Sequence, residues 1–389
     1  MKLLMLTLAP VLSSEAPAIQ VANMAQAFAE LDHEVLAAAP VADPTVDADH
    51  PEGLLGFRPA FHIVTLSRRV HRGQSYLHAL RIARLAKNGG FDLVFSRNLR
   101  ACLLPARRGI PTVFEAHTLT ALEGRQDRWV MRQLLVARGF RGVVAISDGL
   151  AEDMTAVLGV PADRILVAHD AVRLEVGASA PDQGPVRRDA HDDVTSRDGG
   201  RLRAGYTGSL FAGRGVETLL EVAAQSPWLD LELVGGPPDV AAGLSARVDA
   251  EPALANVVVH GPVSPVASRA AQRRMDVLVA PFARRVSTDS GVDSSRWMSP
   301  MKVFEYMASG RPIVISDLPV LREVLRPDVD ALMVPPEDPD ALIAALERLR
   351  DDPELGARLA ASALERVRSE FTWEIRARRI LERFVPEAA

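Results

Sequence analysis

The stretch SPMKVFEYMASGRPIVISDLPVLREVL, Ser299 to Leu325, gathers residue types that suit an anion beside a pair of hydroxyl groups. Ser299 is a favoured helix-capping residue and Pro300 suits the first helical position, so a helix is expected to start here with its free amides presented. Lys302 falls in the first turn, and Glu305 follows three residues later on the same side. A cation among free amides attracts phosphate, and a carboxylate one turn further in accepts from two hydroxyls, as of a ribose diol. The spacing fits an i,i+3 ion pair on a surface helix equally well, and spacing alone leaves the two readings open.

A second candidate is GYTGSLFAGRG, Gly205 to Gly215. Arg214, at the end of a glycine-rich turn before a helical run, lets amides and guanidinium converge on a diphosphate; a tight turn with a solvated arginine is the plainer alternative. Gly208 to Gly215 nearly matches G-x-x-x-x-G-K-[ST], but Arg214 replaces the lysine and Gly215 the metal-binding hydroxyl, which argues against a P-loop nucleotidase. The loop after the first strand, residues 9–17, has no glycine. There Ser13 and Ser14 offer hydroxyls for an acceptor, or belong to a plain turn.

Metal chemistry finds little support. Asp47-Ala48-Asp49 has a D-x-D form but sits in a polar loop with Pro44 and His50, and Asp338-Pro339-Asp340 reads as a helix start. No Cys/His set has zinc spacing, and no G-x-S-x-G elbow occurs. No metal and no cofactor are expected.

These residues must be carried by alternating strands and helices. Apolar runs predict strands at Lys2–Leu8, Glu34–Ala39, His62–Leu66, Asp92–Phe95, Thr112–Glu115, Val143–Ile146 and Ile165–Ala168. After residue 200 they recur at Leu202–Tyr206, Asp230–Val234, Asn256–His260, Asp276–Ala280, Pro312–Ile315 and Ala331–Val334. Helical patterns fall near Ala18–Leu31, Gln74–Ala86, Trp129–Ala137, Gly149–Leu158, Val216–Ala224, Pro265–Arg274, Met301–Ser309 and Val320–Leu325, and from Asp338 to the end. Short apolar strands separated by helices imply parallel sheets covered on both faces. The α/β expectation is two doubly wound Rossmann-like domains, 1–175 and 201–370. A polar linker, 176–200, joins them, and a last helix, 371–389, crosses back to the first. Lys2 before an apolar run and Ala16-Pro17-Ala18 imitate a leader peptide, but a first buried strand is the better reading, because βαβ order follows at once.

With 389 residues, 48% hydrophobic and 24% charged, the chain excludes a disordered or fibrous protein. A lone cysteine, Cys102, excludes an internal disulfide and fits a reducing compartment, the cytoplasm. The net charge of −5 conceals a block of eleven basic residues and one acid between Gly53 and Phe114, among them Arg68, Arg69, Arg72, Arg81, Arg84 and Lys87. That block fits a solvated face, docking on an anionic membrane from the cytoplasmic side, or an anionic acceptor. With few interleaved aromatics, Phe61, Tyr76, Phe91 and Phe95 among them, and no nucleic-acid motif, nucleic acid is not an expected partner.

Nearly the whole chain, linker apart, resembles retaining GT-B glycosyltransferases of the "group 1" family, family 4. Gly208-Ser209-Leu210…Arg214-Gly215 is similar to its G-R-L…K-G loop. Leu233-Val234-Gly235-Gly236-Pro237, Val259-His260-Gly261 and Glu305-Tyr306-Met307-Ala308-Ser309-Gly310 are similar to later motifs. Phe114-Glu115-Ala116-His117, Ala145-Ile146-Ser147-Asp148 and Phe371-Thr372-Trp373 add to the likeness. Three positions depart from it: Ser209 stands for arginine, Trp297 for the first glutamate of E-x7-E, and the first loop lacks its glycine pair.

The resemblance implies two domains facing across a cleft. It implies transfer of a hexosyl-type sugar from a nucleotide-diphosphate donor to a saccharide or lipid-linked acceptor, with retention and without a metal. Gly208, Ser209, Arg214, Gly235, Gly236, Gly261, Ser299, Lys302, Glu305 and Glu323 would then contact the donor, and His117 the transferred sugar. A non-catalytic nucleotide-sugar-binding protein of this fold and a sugar-nucleotide epimerase are the alternatives.

Overall fold

The computed structural model describes residues 1–7, 13, 15–39, 55–65, 85, 89–119, 122, 124–174, 201–287, 291 and 293–385. Ser14, Asp47 to Asp49, the linker 176–200 and the basic positions from Arg68 to Arg84 and at Lys87 lie outside them. The chain forms two compact units. Unit 1 comprises Met1–Ala171, Arg296–Ser299 and Trp373–Ala389, and unit 2 comprises Val172–Ser295 and Pro300–Thr372.

Unit 1 holds a seven-stranded parallel sheet in the order β3-β2-β1-β4-β5-β6-β7. Its strands are β1 (Lys2–Leu6), β2 (Glu34–Ala39), β3 (His62–Thr65), β4 (Leu93–Ser96), β5 (Thr112–Ala116), β6 (Phe140–Ala145) and β7 (Ile165–Val167). β1 runs between β2 and β4 with Leu3 to Leu6 at most 2% exposed, so the leader-like run is a central strand. Ala16 to Ala18 form the first turn of α1 (Ala16–Glu30). Helices α2 (Leu99–Arg107), α3 (Arg125–Leu135) and α4 (Asp148–Leu158) follow. α2 escapes the sequence pattern because Pro105 lies inside it. The Asn98 side chain starts it, accepting from the Arg100 and Ala101 amides.

Unit 2 repeats the plan with six strands in the order β10-β9-β8-β11-β12-β13. These are β8 (Leu202–Thr207), β9 (Leu229–Val234), β10 (Val257–His260), β11 (Val277–Ala280), β12 (Ile313–Ser316) and β13 (Leu332–Val334). Its helices are α5 (Val216–Gln225), α6 (Pro238–Ala250), α7 (Pro265–Arg274), α8 (Met301–Ser309), α9 (Pro319–Arg322), α10 (Pro339–Asp351) and α11 (Pro353–Glu370). α6 was not legible because alanine, glycine and serine give its apolar stripe little contrast. Asp338 caps α10 by accepting from the Ala341 amide, as its position in Asp-Pro-Asp suggested. Last comes α12 (Trp373–Phe384), which packs on α1 and β6 of unit 1.

Strand order reverses between β1 and β4 in one sheet and between β8 and β11 in the other. Such switch points open a crevice beyond the carboxyl ends of the strands. β8 pairs with β11 only at Ala204 and Gly205, so the end of β8 needs another partner on that side. Tyr306 of α8 supplies it: its hydroxyl accepts from the Thr207 amide at 2.7 Å and is fully buried. Tyr306→Phe leaves that amide unsatisfied and is expected to cost about 1–3 kcal/mol. Denaturant titration of the two proteins measures the difference, and equal midpoints would refute this account of the crevice.

Candidate functional site

In unit 2 the ends of β8, β9 and β11 meet the start of α8. Close backbone approach builds the floor. Gly235, at φ 116°, lies so near Gly208 that a side chain would come within 2.4 Å of the Gly208 carbonyl oxygen. Gly215, at φ 85°, leaves the turn before α5 in the left-handed region and presses on the Pro281 carbonyl. Gly236 packs on Leu210, while Gly261 after β10 faces open space.

Lys302 is placed on this floor. Its Nζ donates to the Tyr206 hydroxyl at 2.6 Å and lies 3.8 Å from the centre of that ring. The Tyr206 hydroxyl in turn donates to the Ser209 carbonyl at 2.6 Å. Tyr206, fully buried, thus couples the lysine to the glycine-rich loop. Burial, with Arg214 adding to it, pushes Lys302 well below its usual range, against the pull of Glu305. Arg214 rests 5.8 Å over the Phe282 ring, and its Nε is buried without a hydrogen-bond partner. Burial likewise raises Glu305, whose Oε2 accepts from Gln272 Nε2 at 3.3 Å. Gln272 also donates to Thr207 Oγ1 at 2.9 Å, which orients it. The surface ion pair allowed by spacing is not what forms: both side chains turn toward the strand ends.

Two sequence expectations need correction. Helix α8 begins at Met301, and its cap is Pro300, with no side-chain hydrogen bond. Ser299 therefore caps nothing: its hydroxyl stands one residue too early, and Oγ accepts from the Asp170 amide at 2.8 Å instead. The second correction concerns domains. Residues 296–299, expected within 201–370, group with unit 1. Trp297 explains why. Its indole Nε1 donates to Asp153 Oδ2 at 2.7 Å, its carbonyl accepts from Ser147 Oγ, and its ring packs on the core below α4. Arg296 adds ion pairs to Glu152 and Asp153. Elsewhere, Arg284 is turned to Glu337 at 3.4 Å, and Glu323 closes α9. Ser13 is buried, with Oγ accepting from the Glu15 amide at the entry to α1.

Unit 1 carries a second polar cluster at the end of β5. Glu115 is buried, with Oε1 accepting from Arg376 Nη2 at 2.6 Å and Gln20 Nε2 at 3.0 Å. His117 Nε2 lies 3.3 Å from Glu115 Oε2. Burial alone would raise the Glu115 carboxyl, but Arg376, His117 and Arg97 outweigh it and hold the group well below the usual carboxylate range. Burial lowers His117, helped by Arg97 and opposed by Glu115, which favours a neutral ring. Asp170 completes the cluster; it is buried, Oδ1 has no hydrogen-bond partner, and burial raises its carboxyl. Sequence reasoning found His117 but gave no role to Glu115, Asp170, Arg97 or Arg376, nor to Tyr206, Tyr306 and Gln272. Among these, Glu115, Tyr206 and Tyr306 lay in motifs already quoted, without a role of their own.

Comparison with known proteins agrees with this division. Residues 18–176 match the model described as Glycosyltransferase Family 4, and residues 201–352 match Glycosyl transferases group 1. A D-inositol 3-phosphate glycosyltransferase of Rhodococcus erythropolis is 30% identical over 294 residues, 72% of this chain and 63% of that protein. The chain thus aligns with slightly under two thirds of that relative's length. A Thermobispora bispora protein of the same description is 26% identical over 337 residues, 78% of this chain and 72% of its own. Among solved structures, Anabaena HepE in complex with UDP has a TM-score of 0.70 at 16% identity, covering 98% of this chain and 99% of that one. A glycosyltransferase of Rickettsia africae gives 0.72 at 13% identity, covering 100% and 98%. At such identities the likeness is one of fold, the two-domain Rossmann-like GT-B arrangement.

Arg376→Met removes the cation on Glu115 and is expected to destabilise the protein by about 3–5 kcal/mol near neutral pH. A depressed carboxyl contributes stability above the ordinary carboxylate range and loses it as pH falls. In the variant Glu115 takes up a proton more readily, so the deficit narrows on acidification. Thermal unfolding from pH 7 to pH 4 measures it; a deficit that widens toward acid contradicts the assignment.

Proposed function

The chain belongs to the group 1 glycosyltransferases of family 4, and on that premise we propose that it moves a sugar from a nucleotide-diphosphate donor to a saccharide or lipid-linked acceptor. One observation carries the donor site. Lys302 and Arg214 converge at the end of β8, and neither has an ion-pair partner among the described residues. Two partly buried cations with no carboxylate in salt-bridge contact suit a diphosphate, and the first amides of α8 add donors. Charge that develops on the leaving diphosphate is then met by fixed positive groups, the work a metal does in other transferases. Glu305 would accept from the ribose hydroxyls, and His117 would contact the transferred sugar. Retention at the anomeric carbon is part of the same proposal and rests on family membership.

The acceptor is open to a narrower reading. Relatives carry the description D-inositol 3-phosphate glycosyltransferase, so their named acceptor is anionic. A phosphorylated polyol would suit the basic block between Gly53 and Phe114. An anionic lipid surface would suit it too, and liposome flotation at low salt separates the two. Among the described residues no helix is long and apolar enough to cross a membrane.

The direct test is a screen of UDP, GDP and ADP by thermal shift, followed by transfer assays with the matching nucleotide sugars. Lys302→Met is expected to lower kcat/KM by about 10²–10³, the loss typical of one preorganised donor at a developing charge. Glu305→Ala should weaken donor binding by about 1.5–3 kcal/mol. Because Lys302 is pushed low, its ammonium form grows as pH falls, so nucleotide affinity should rise toward acid. Near-normal kinetics in both variants would remove the donor site from this crevice. Nucleotide binding without transfer or hydrolysis would favour a non-catalytic binding protein.

A further inference from the structure

His117 follows Glu115 by two residues at the end of β5, so both side chains leave the strand on the same side. The carboxylate therefore meets the imidazole through strand geometry: Glu115 Oε2 lies 3.3 Å from His117 Nε2. Both atoms are buried and neither makes a hydrogen bond to any other group among the described residues; the 3.3 Å approach of a carboxylate oxygen and a ring nitrogen is the polar contact that each has. Glu115 is not free to turn away. Its Oε1 is gripped by Arg376 at 2.6 Å and Gln20 at 3.0 Å. Arg376 is itself fixed on the His169 carbonyl at 2.8 Å and the Ala168 carbonyl at 3.1 Å. An ionised carboxylate only accepts, so its approach favours a proton on the ring nitrogen that faces it. The His117 side chain keeps 18% of its surface exposed although Nε2 is buried, so the exposed part of the ring is elsewhere.

We propose that Glu115, clamped by Arg376 of the C-terminal helix, is a positioning residue for His117: it keeps the ring proton on Nε2 and leaves Nδ1 as the bare nitrogen that accepts from a sugar hydroxyl. The sugar in this statement rests on the transferase reading; the proton placement does not. Two further charged groups face the imidazole, Arg97 opposing a second proton and Asp170 favouring one. The C-terminal helix thereby acts on a ring more than two hundred and fifty residues earlier in the chain. Exchanging the tautomer would turn an acceptor toward the sugar into a donor, a change known to disable histidine-dependent catalysis without disturbing geometry.

The test uses the full chain with nitrogen-15 histidine. The chain has nine histidines, so the His117 signals are identified by their loss in His117→Gln. The expected spectrum at neutral pH is that of a neutral ring protonated at Nε2. Glu115→Gln can present an amide N–H to Nε2, and should move the proton to Nδ1. With a donor and acceptor that turn over, it should also lower kcat about tenfold or more while donor KM stays within about twofold. Arg376→Lys keeps a cation beside Glu115 and should retain the wild-type tautomer. A ring protonated at Nδ1 in the wild type, a doubly protonated ring, or a Glu115→Gln protein with unchanged tautomer and kcat would each overturn the proposal. If Glu115→Gln does not fold, the wild-type tautomer decides alone. Should no nucleotide sugar turn over at all, the transferase reading fails, while the spectrum still settles the proton.

Discussion

Unit 1 depends on an ion pair taken wholly out of water. Glu115 stands at the end of an interior strand with its side chain fully enclosed, and Arg376 reaches it from the last helix with only 3% of its side chain exposed. Desolvating both groups is expensive, and the cost is offset only because each is also hydrogen-bonded: Glu115 to Gln20, Arg376 to two backbone carbonyls. Removing either partner would strand the other charge. The pair therefore does more than tie a helix down; it ties α12 to the end of β5 and fixes the direction in which Glu115 meets its neighbours.

Unit 2 solves a different electrostatic problem. Two cations are held close together without a carboxylate between them, which is unfavourable in the absence of an anion. Lys302 meets the difficulty by lying on an aromatic ring and donating to its hydroxyl, and Arg214 by resting over Phe282. Ser209, where related loops have an arginine, contributes through its backbone carbonyl, which fixes the Tyr206 hydroxyl.

How much of this was legible depended on range. Each of the thirteen strands among the described residues was, because a short apolar run between polar turns is a local signal and the sheets are covered on both faces. The glycine-rich turn, Lys302 and Glu305 were found for the same reason, since their spacing lies within one loop or one helical turn. Ser299 was misjudged by a single residue: capping depends on the φ and ψ of Pro300, and sequence pattern is weakest at helix ends. The roles of Trp297, Tyr206, Tyr306, Gln272 and Arg376 were not legible, because each has a partner far away in the chain, Lys302 in the case of Tyr206. Trp297 bonds to Asp153, and Arg376 to Glu115. Nothing in the composition of either neighbourhood announces such a partner.

The division of unit 1 into three stretches has a bearing on how the molecule is made. Residues 1–171 leave the ribosome before unit 2, yet they lack α12, which follows unit 2 in the chain. Until residue 376 emerges, the carboxylate of Glu115 lacks the guanidinium that is hydrogen-bonded to it, and α1 and β6 leave apolar surface uncovered. Unit 2, by contrast, is complete once residue 372 is made. The nascent chain must therefore carry an unfinished first unit through synthesis of the whole second one. The order of translation is thus reversed in the order of completion: the unit begun first is the last to close.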